Sequence, residues 1–292
     1  MSTTTNSRTS AVVGLPLATS PQGRNSRLED FIEIDGLFNV REFGGYKTTS
    51  ERVTRQGFIL RSGHLEDITF RGREQLAKLG ITVRLDLRSP NERHAFAGHD
   101  ALETANSALP PEILVPLQDG DFSVRSSLEK YKGSRLGMAS RMAQHYFDTI
   151  NSSTGRLALR DVLLYVHDHP RDKILLHCTL GKDRTGVVIA LLQALAGVPA
   201  ESIVDDFALS EAGLRPVRAR FVHHCAKLVP NASQEQVKHY ADNVLQSDGK
   251  CMRMLLQMIE RGFGGVDGYF EHACDLSEAQ LCRVKNLLLE PL

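Results

Sequence analysis

No stretch of this chain approaches the ~18 consecutive apolar residues that a membrane-spanning helix needs. Neither sign of charge is in excess. Lys+Arg and Asp+Glu both number 35, so the formal net charge is zero. That removes a global basic field as a reason to bind nucleic acid or an anionic membrane, and any anion-binding role must come from a local site. Cysteine is sparse and unpaired in pattern. Cys178, Cys225, Cys251, Cys274 and Cys282 are odd in number, irregularly spaced and contain no CxxC. This speaks against a disulfide framework or a zinc cluster and for a reducing, intracellular (cytoplasmic) setting, where a free cysteine can work as a thiolate. Acids are missing from residues 1–28, which are rich in Ser, Thr, Asn and Gly. The run Ala11–Ala18 is short and carries Gly14 and Pro16, a poor match to a secretory signal. Arg8, Arg24 and Arg27 without acids leave an organelle transit segment open, but a disordered tail is the plainer reading.

What is there is an ordinary globular composition, 41% hydrophobic and 24% charged over 292 residues, enough for one large α/β domain. From Phe31 to Tyr46 short apolar stretches lead into Gly44-Gly45, an extended segment and a turn. Gly57–Ser62 reads as a strand. Thr69 is placed as an N-cap to a helix over Phe70–Leu79 that Gly80 ends. Ile81–Leu87 alternates with period two, a strand. Gly98–Pro111 reads as a loop, Glu112–Leu117 as a short strand and Gln118–Asp121 as a loop. Helical patterns follow at about 135–150 and 156–167, then a buried strand, Lys173–His177, and a helix from Arg184 to Ala196 that is apolar almost all round. Gly197 closes it, and Pro199 is placed at N1 of the next helix. The rest reads as helix upon helix, with Ser233/Gln236 and Ser277/Gln280 at capping-box spacing. The expectation is one domain over 29–292. Its core is a mainly parallel sheet flanked by helices, and its C-terminal third is helical.

The chemistry concentrates in His177-Cys178-Thr179-Leu180-Gly181-Lys182-Asp183-Arg184-Thr185-Gly186. A strand, a tight loop and a helix in succession aim backbone N–H groups and the helix N-terminus at an anion. The same field favours a thiolate at Cys178, and a thiolate is a nucleophile. Arg184, six residues on, closes the loop and grips two phosphate oxygens with its fork. Thr179, Leu180, Gly181 and Lys182 supply the cradle. Thr185 is expected to donate to the sulfur as it leaves, and His177 to orient the loop. A nucleotide-binding GxxxxGK[ST] loop fails because Asp183 follows Lys182.

This string resembles the signature of the protein-tyrosine-phosphatase superfamily. Within it, the chain is similar to the tyrosine/serine and lipid phosphatases related to the mycobacterial secreted enzyme. Leu37–Tyr46, Leu60–Gly63, Leu85–Ser89 and the helical end from Met252 to Leu289 carry the likeness beyond the loop. The resemblance implies a phosphocysteine intermediate, no metal or other cofactor, and hydrolysis by water in a second step.

The general acid is left open among several Asp residues. Asp183 sits in the loop, where phosphoinositide phosphatases of the myotubularin type keep theirs. Asp119 and Asp121 sit in the loop that precedes the signature. Asp86 ends a strand, where a structural salt bridge competes with catalysis. Lys182 reads either as a contact to an inositol phosphate or as a solvent-facing cation. Arg41, Arg61 and Arg88 are candidates for a substrate mouth, against pairing within the scaffold. Residues 210–250 are either a helical lid or plain packing. His223-His224-Cys225 reads as ordinary helix surface.

The expected activity is hydrolysis of phosphomonoesters on phosphotyrosine or phosphoserine proteins or on phosphoinositides. A small-metabolite phosphate or diphosphate and a catalytically dead phosphate-binding module are the alternatives. Sulfur transfer or arsenate reduction is a minor one, because Arg184 and the full loop speak for phosphate. The expected partners are therefore phosphorylated proteins, lipids or small molecules, with no nucleic acid; the sequence says nothing of oligomeric state.

Overall fold

The computed structural model describes residues 31–96, 109–118 and 137–291. The N-terminal tail, Asp119 and Asp121 lie outside these residues, as does most of the Gly98–Pro111 loop.

A short parallel sheet organises the fold. Its strands are β1 (Arg41–Glu42), β2 (Ile59–Ser62), β3 (Val83–Asp86), β4 (Glu112–Leu114) and β5 (Ile174–His177), in the order β1-β2-β5-β3-β4. Only the β1–β2 pairing is antiparallel, with Arg41 opposite Arg61. Strand β5 lies in the middle, its His177 level with Ser62 on one side and Asp86 on the other. Side chains alternate between two cores. Ile59, Ile174 and Leu176 face the larger one. Leu60 and Leu175 face a smaller one that also holds Ile34, Val40 and Leu76. Both faces are covered, so the strands β2, β3 and β5 are buried along their length, their charged side chains included.

Helix α1 (Phe70–Lys78) begins at Thr69, whose hydroxyl accepts from the Gly72 N–H, and stops before Gly80 at φ +72°. Helix α2 (Pro90–Phe96) follows β3. Helices α3 (Met138–Asn151) and α4 (Ser153–Asp168) pack on the larger core ahead of β5. Helix α5 (Asp183–Leu195) is buried almost all round. Its hydrophobicity on every side therefore reflects enclosure by α3, α6 (Ala200–Gly213) and α10 (Val266–His272). Pro199 caps α6 one residue earlier than its expected N1 position. A 3-10 turn (Arg215–Val217), α7 (Arg218–Leu228) and α8 (Gln234–Leu245) come next, followed by α9 (Gly249–Phe263) and α11 (Glu278–Leu287). Both expected capping boxes are formed, at Ser233/Gln236 and Ser277/Gln280.

The 210–250 segment divides at Leu214. Ser210 and Gly213 are buried in α6 as part of the scaffold. Helices α7 and α8 instead build a small cluster of their own around Cys225, Val237 and Val244, and Leu180 of the signature loop packs against it. Arg220 of α7 also pairs with Asp67 at 2.7 Å. The helical pair is thus seated on the signature loop.

Candidate active site

Strand β5 delivers Cys178, 2% exposed, to the end of the sheet, and residues Cys178–Lys182 turn from there into α5. Three carbonyls of that turn are tied back to the scaffold. Thr179 O accepts from the His64 N–H at 3.1 Å. Leu180 O and Gly181 O each accept from Asn39 Nδ2 at 3.0 Å. Gly181 O also accepts from Arg61 Nη2 at 2.7 Å. In a trans peptide the N–H points opposite to the carbonyl before it, and no peptide bond among the described residues is cis. Holding these carbonyls outward therefore turns the N–H groups of Leu180, Gly181 and Lys182 inward. With the start of α5 behind them they form a cup for an anion. Gly181 makes the turn at φ +62°, and a Cβ there would sit 2.3 Å from Ser62 O, so only glycine fits.

Beneath the cup lies a buried ionic brace. Asp206 of α6 accepts from Arg61 Nη1 at 2.8 Å, from Arg41 Nε at 3.1 Å and from the Tyr46 hydroxyl at 3.0 Å. Arg41 also reaches Asp206 O and Ser210 Oγ at 2.9 and 3.0 Å. Burial pushes the Asp206 carboxyl up, but Arg41 and Arg61 outweigh it and hold the group below the usual carboxylate range. Burial, with Arg41 alongside, brings Arg61 down to about 10, so it stays charged near neutrality. Of the two readings of Arg41, Arg61 and Arg88, the structure shows pairing within the scaffold and not a substrate mouth. All three are buried, Arg41 and Arg61 under the loop and Arg88 against Asp86 and Glu66. Desolvating a guanidinium is tolerated here because each has a carboxylate partner.

Arg184 emerges from the first turn of α5. Its Nη1 and Nη2 each donate to Glu92 of α2 at 2.6 Å, an end-on fork. Glu92 also accepts from the Thr179 hydroxyl. Burial lowers the Arg184 guanidinium, and the Glu92 carboxylate more than reverses this, leaving it above its ordinary value. Nothing in the sequence singled out Glu92. Ser89-Pro90-Asn91-Glu92 has capping-box spacing, which gives Glu92 a purely local reading, yet its side chain turns to residues 87 and 92 positions away.

Lys182 is 1% exposed, which corrects the reading of a solvent-facing cation. Its ammonium donates to Gln246 O at 2.9 Å and lies 3.2 Å from Asp183 Oδ1. The Tyr146 hydroxyl of α3 donates to the same Asp183 oxygen. Burial pushes the Asp183 carboxyl up, and Lys182 and Tyr146 together bring it below the usual range.

Asp86 does not reach the cup. It is 0% exposed, and its carboxylate accepts from the Arg88 N–H, Nε and Nη2 at 2.9–3.1 Å. His177 lies behind the loop, its Nδ1 3.8 Å from Asp86, and burial pushes its ring down to about 4, so it is neutral at pH 7. The Thr185 hydroxyl is buried with no hydrogen-bond partner among the described residues, the sulfur included. Asp86, Glu112 and His177 bring potential metal-ligand atoms within 4.8 Å of one another. Their carboxylates are already paired, Asp86 with Arg88 and Arg93 and Glu112 with Arg84 and Arg93, so a cation there would meet three guanidinium groups.

A cleft of about 270 Å³ opens against Thr179 and Leu180, between Phe38 and His64 on one wall and Phe221 and His224 on the other. The family model described as the tyrosine phosphatase family matches residues 32–290. The chain belongs to the tyrosine phosphatase family. It is 28% identical over 280 residues to the triple specificity protein phosphatase PtpB of Mycobacterium tuberculosis, covering 88% of this chain and 98% of that one. It is 27% identical over 242 residues to a tyrosine-protein phosphatase of Nostoc commune, covering 78% of this chain and 72% of the relative. As a tyrosine phosphatase the chain is a phosphoric monoester hydrolase with a phosphorylated substrate. No helix among the described residues is long and apolar enough to cross a membrane.

Proposed function

We propose that this tyrosine phosphatase works through a phosphocysteine intermediate on phosphotyrosine and phosphoserine proteins or on phosphoinositides. The observation that carries the mechanism is the cup itself. Its three outward-tied carbonyls turn N–H groups toward the anion site above Cys178. The triple specificity of the mycobacterial relative supports a broad substrate range.

In the first step the Cys178 thiolate attacks phosphorus. The Sγ–P bond forms and the P–O ester bond breaks. The leaving oxygen takes a proton from Asp183, which becomes a carboxylate. In the second step water attacks the phosphocysteine, Asp183 takes the water proton, and the thiolate leaves. The inward N–H groups and Arg184 neutralise the equatorial oxygens in both transition states. Asp183 starts ionised near neutral pH, since its carboxyl is held below the usual range. The incoming phosphate adds negative charge beside it and raises its proton affinity. Turnover of esters with poor leaving groups therefore increases as pH falls toward the acid side.

Trapping tests this reading. Acid quenching during turnover of an aryl phosphate should leave phosphate on the peptide that contains Cys178. Asp183→Asn should slow an alkyl phosphate by roughly 10²–10⁴-fold while sparing an ester with a good leaving group. Full alkyl-phosphate activity in that variant removes Asp183 from the role.

Glu92 fixes the Arg184 fork without touching phosphate. Glu92→Gln removes one charge and one acceptor from that pair. kcat/KM on an aryl phosphate should fall about 10–100-fold, the equivalent of one charge-assisted hydrogen bond. A variant with unchanged kcat/KM and an unchanged melting temperature would show that Arg184 needs no such support.

A further inference from the structure

We propose that Tyr146 is a positioning residue for the proton transfer, holding the carboxyl group of Asp183 in its donating orientation. The inference rests on the reading of Asp183 as the acid.

Two donors approach Asp183 from different parts of the fold and converge on one atom, Oδ1. The Tyr146 hydroxyl comes from α3, and the Lys182 ammonium comes from the loop. Neither donor is loose. The Tyr146 ring is buried and packs edge-on against Phe207 of α6, with ring centroids 6.1 Å apart. The Lys182 ammonium is braced by the Gln246 carbonyl at the end of α8. Two fixed donors on one oxygen leave the carboxyl group little freedom to rotate. Tyr146 thus sets the plane of the carboxyl group.

Sequence order hides this pairing, because Tyr146 stands 37 positions before Asp183 in a helix with an ordinary amphipathic pattern. The other titratable groups around Asp183 are His145 on α3 and Cys251 on α9, and Asp248, which caps α9, acts on Cys251. Burial pushes the Cys251 thiol up to about 12, so it stays neutral throughout.

The test is Tyr146→Phe, which keeps the ring against Phe207 and deletes only the hydroxyl. The pH dependence of kcat is followed on an alkyl phosphate and on 4-nitrophenyl phosphate. Loss of a donor to the carboxylate makes the ionised form less favourable, so the proton binds more tightly. The basic limb of the alkyl-phosphate profile should move up by about one pH unit. The ratio of alkyl to aryl turnover on the plateau should fall about tenfold, because the carboxyl group loses one of the two donors that hold it in place. The double variant Tyr146→Phe/Asp183→Asn should be no slower than Asp183→Asn alone. In that background any limb belonging to His145 persists and is told apart.

An unmoved limb, with the two substitutions multiplying in the double variant, overturns the proposal and leaves Asp183 as the acid. Full alkyl-phosphate activity of Asp183→Asn alone overturns the acid assignment, and this inference with it.

Discussion

Cys178→Ser is expected to reduce turnover of a chromogenic aryl phosphate by roughly 10⁴–10⁶-fold, the scale of losing a covalent nucleophile. The same variant should bind inorganic phosphate within a few-fold of wild type in a calorimetric titration. The two halves of this expectation come from different parts of the site. Attack on phosphorus needs a thiolate, and a serine hydroxyl does not ionise near neutrality without an adjacent base. The neighbouring ring offers no such base. His177 is sequestered behind the loop and turned toward Asp86. Phosphate binding is expected to rest instead on the N–H groups, since the loop carbonyls are held by Asn39, Arg61 and His64 and not by the sulfur. If wild type and variant are equally inert while both bind phosphate, the chain is a phosphate-binding module and the mechanism proposed above falls.

Asp206→Asn has the largest expected effect on stability. Its carboxylate is the shared counter-ion of Arg41 and Arg61, and all three side chains are buried. Removing one partner of such a group leaves uncompensated buried charge, typically costing about 3–5 kcal/mol. A lower urea midpoint at an unchanged slope would record it. The pH dependence has a definite sign. The folded-state pKa of Asp206 is depressed, by Arg41 and Arg61 against the opposing effect of burial. Its contribution is therefore complete above the unfolded carboxylate value of about 3.9 and is lost only as pH falls toward the lower folded value. The gap between wild type and variant should be constant from pH 6 to 8 and close only in strong acid. Coincident midpoints at pH 7 would mean that the two guanidinium groups find other compensation. Activity should fall as well, since Arg61 also holds the Gly181 carbonyl.

What could be read from the sequence was local. Thr69, Ser233 and Ser277 cap their helices through contacts three residues away, and those contacts are written in the residue spacing. The order strand, glycine turn, apolar helix around Cys178 likewise needs only neighbours. The brace was legible only as an alternative for Arg41 and Arg61, with no acid named for them. Arg41 and Arg61 are buried by a partner 145–165 positions further on. Asp206 stands beside Asp205 in a helix with no motif to separate them, although one is buried and the other exposed. Glu92 was obscured for a different reason. Its local spacing offered a sufficient explanation of a helix cap, while its side chain serves the loop instead. Asn39 lay inside a stretch that resembled the family, but its role depends on a backbone angle of φ +57° that aims its amide at residues 180 and 181.

The outward-tied carbonyls also bear on how the molecule acquires its activity. The groups that hold them, at residues 39, 61 and 64, leave the ribosome more than a hundred residues ahead of the loop they shape. Such contacts have high sequence separation and close late, after the intervening chain has paid its loop-closure entropy. The loop and its cysteine can be synthesised, and α5 can form, while the anion cup is still open. Competence to bind phosphate is then a property of the last folding event, when the first strands dock beside β5. A partly folded chain would carry the complete signature and yet have no catalytic pocket.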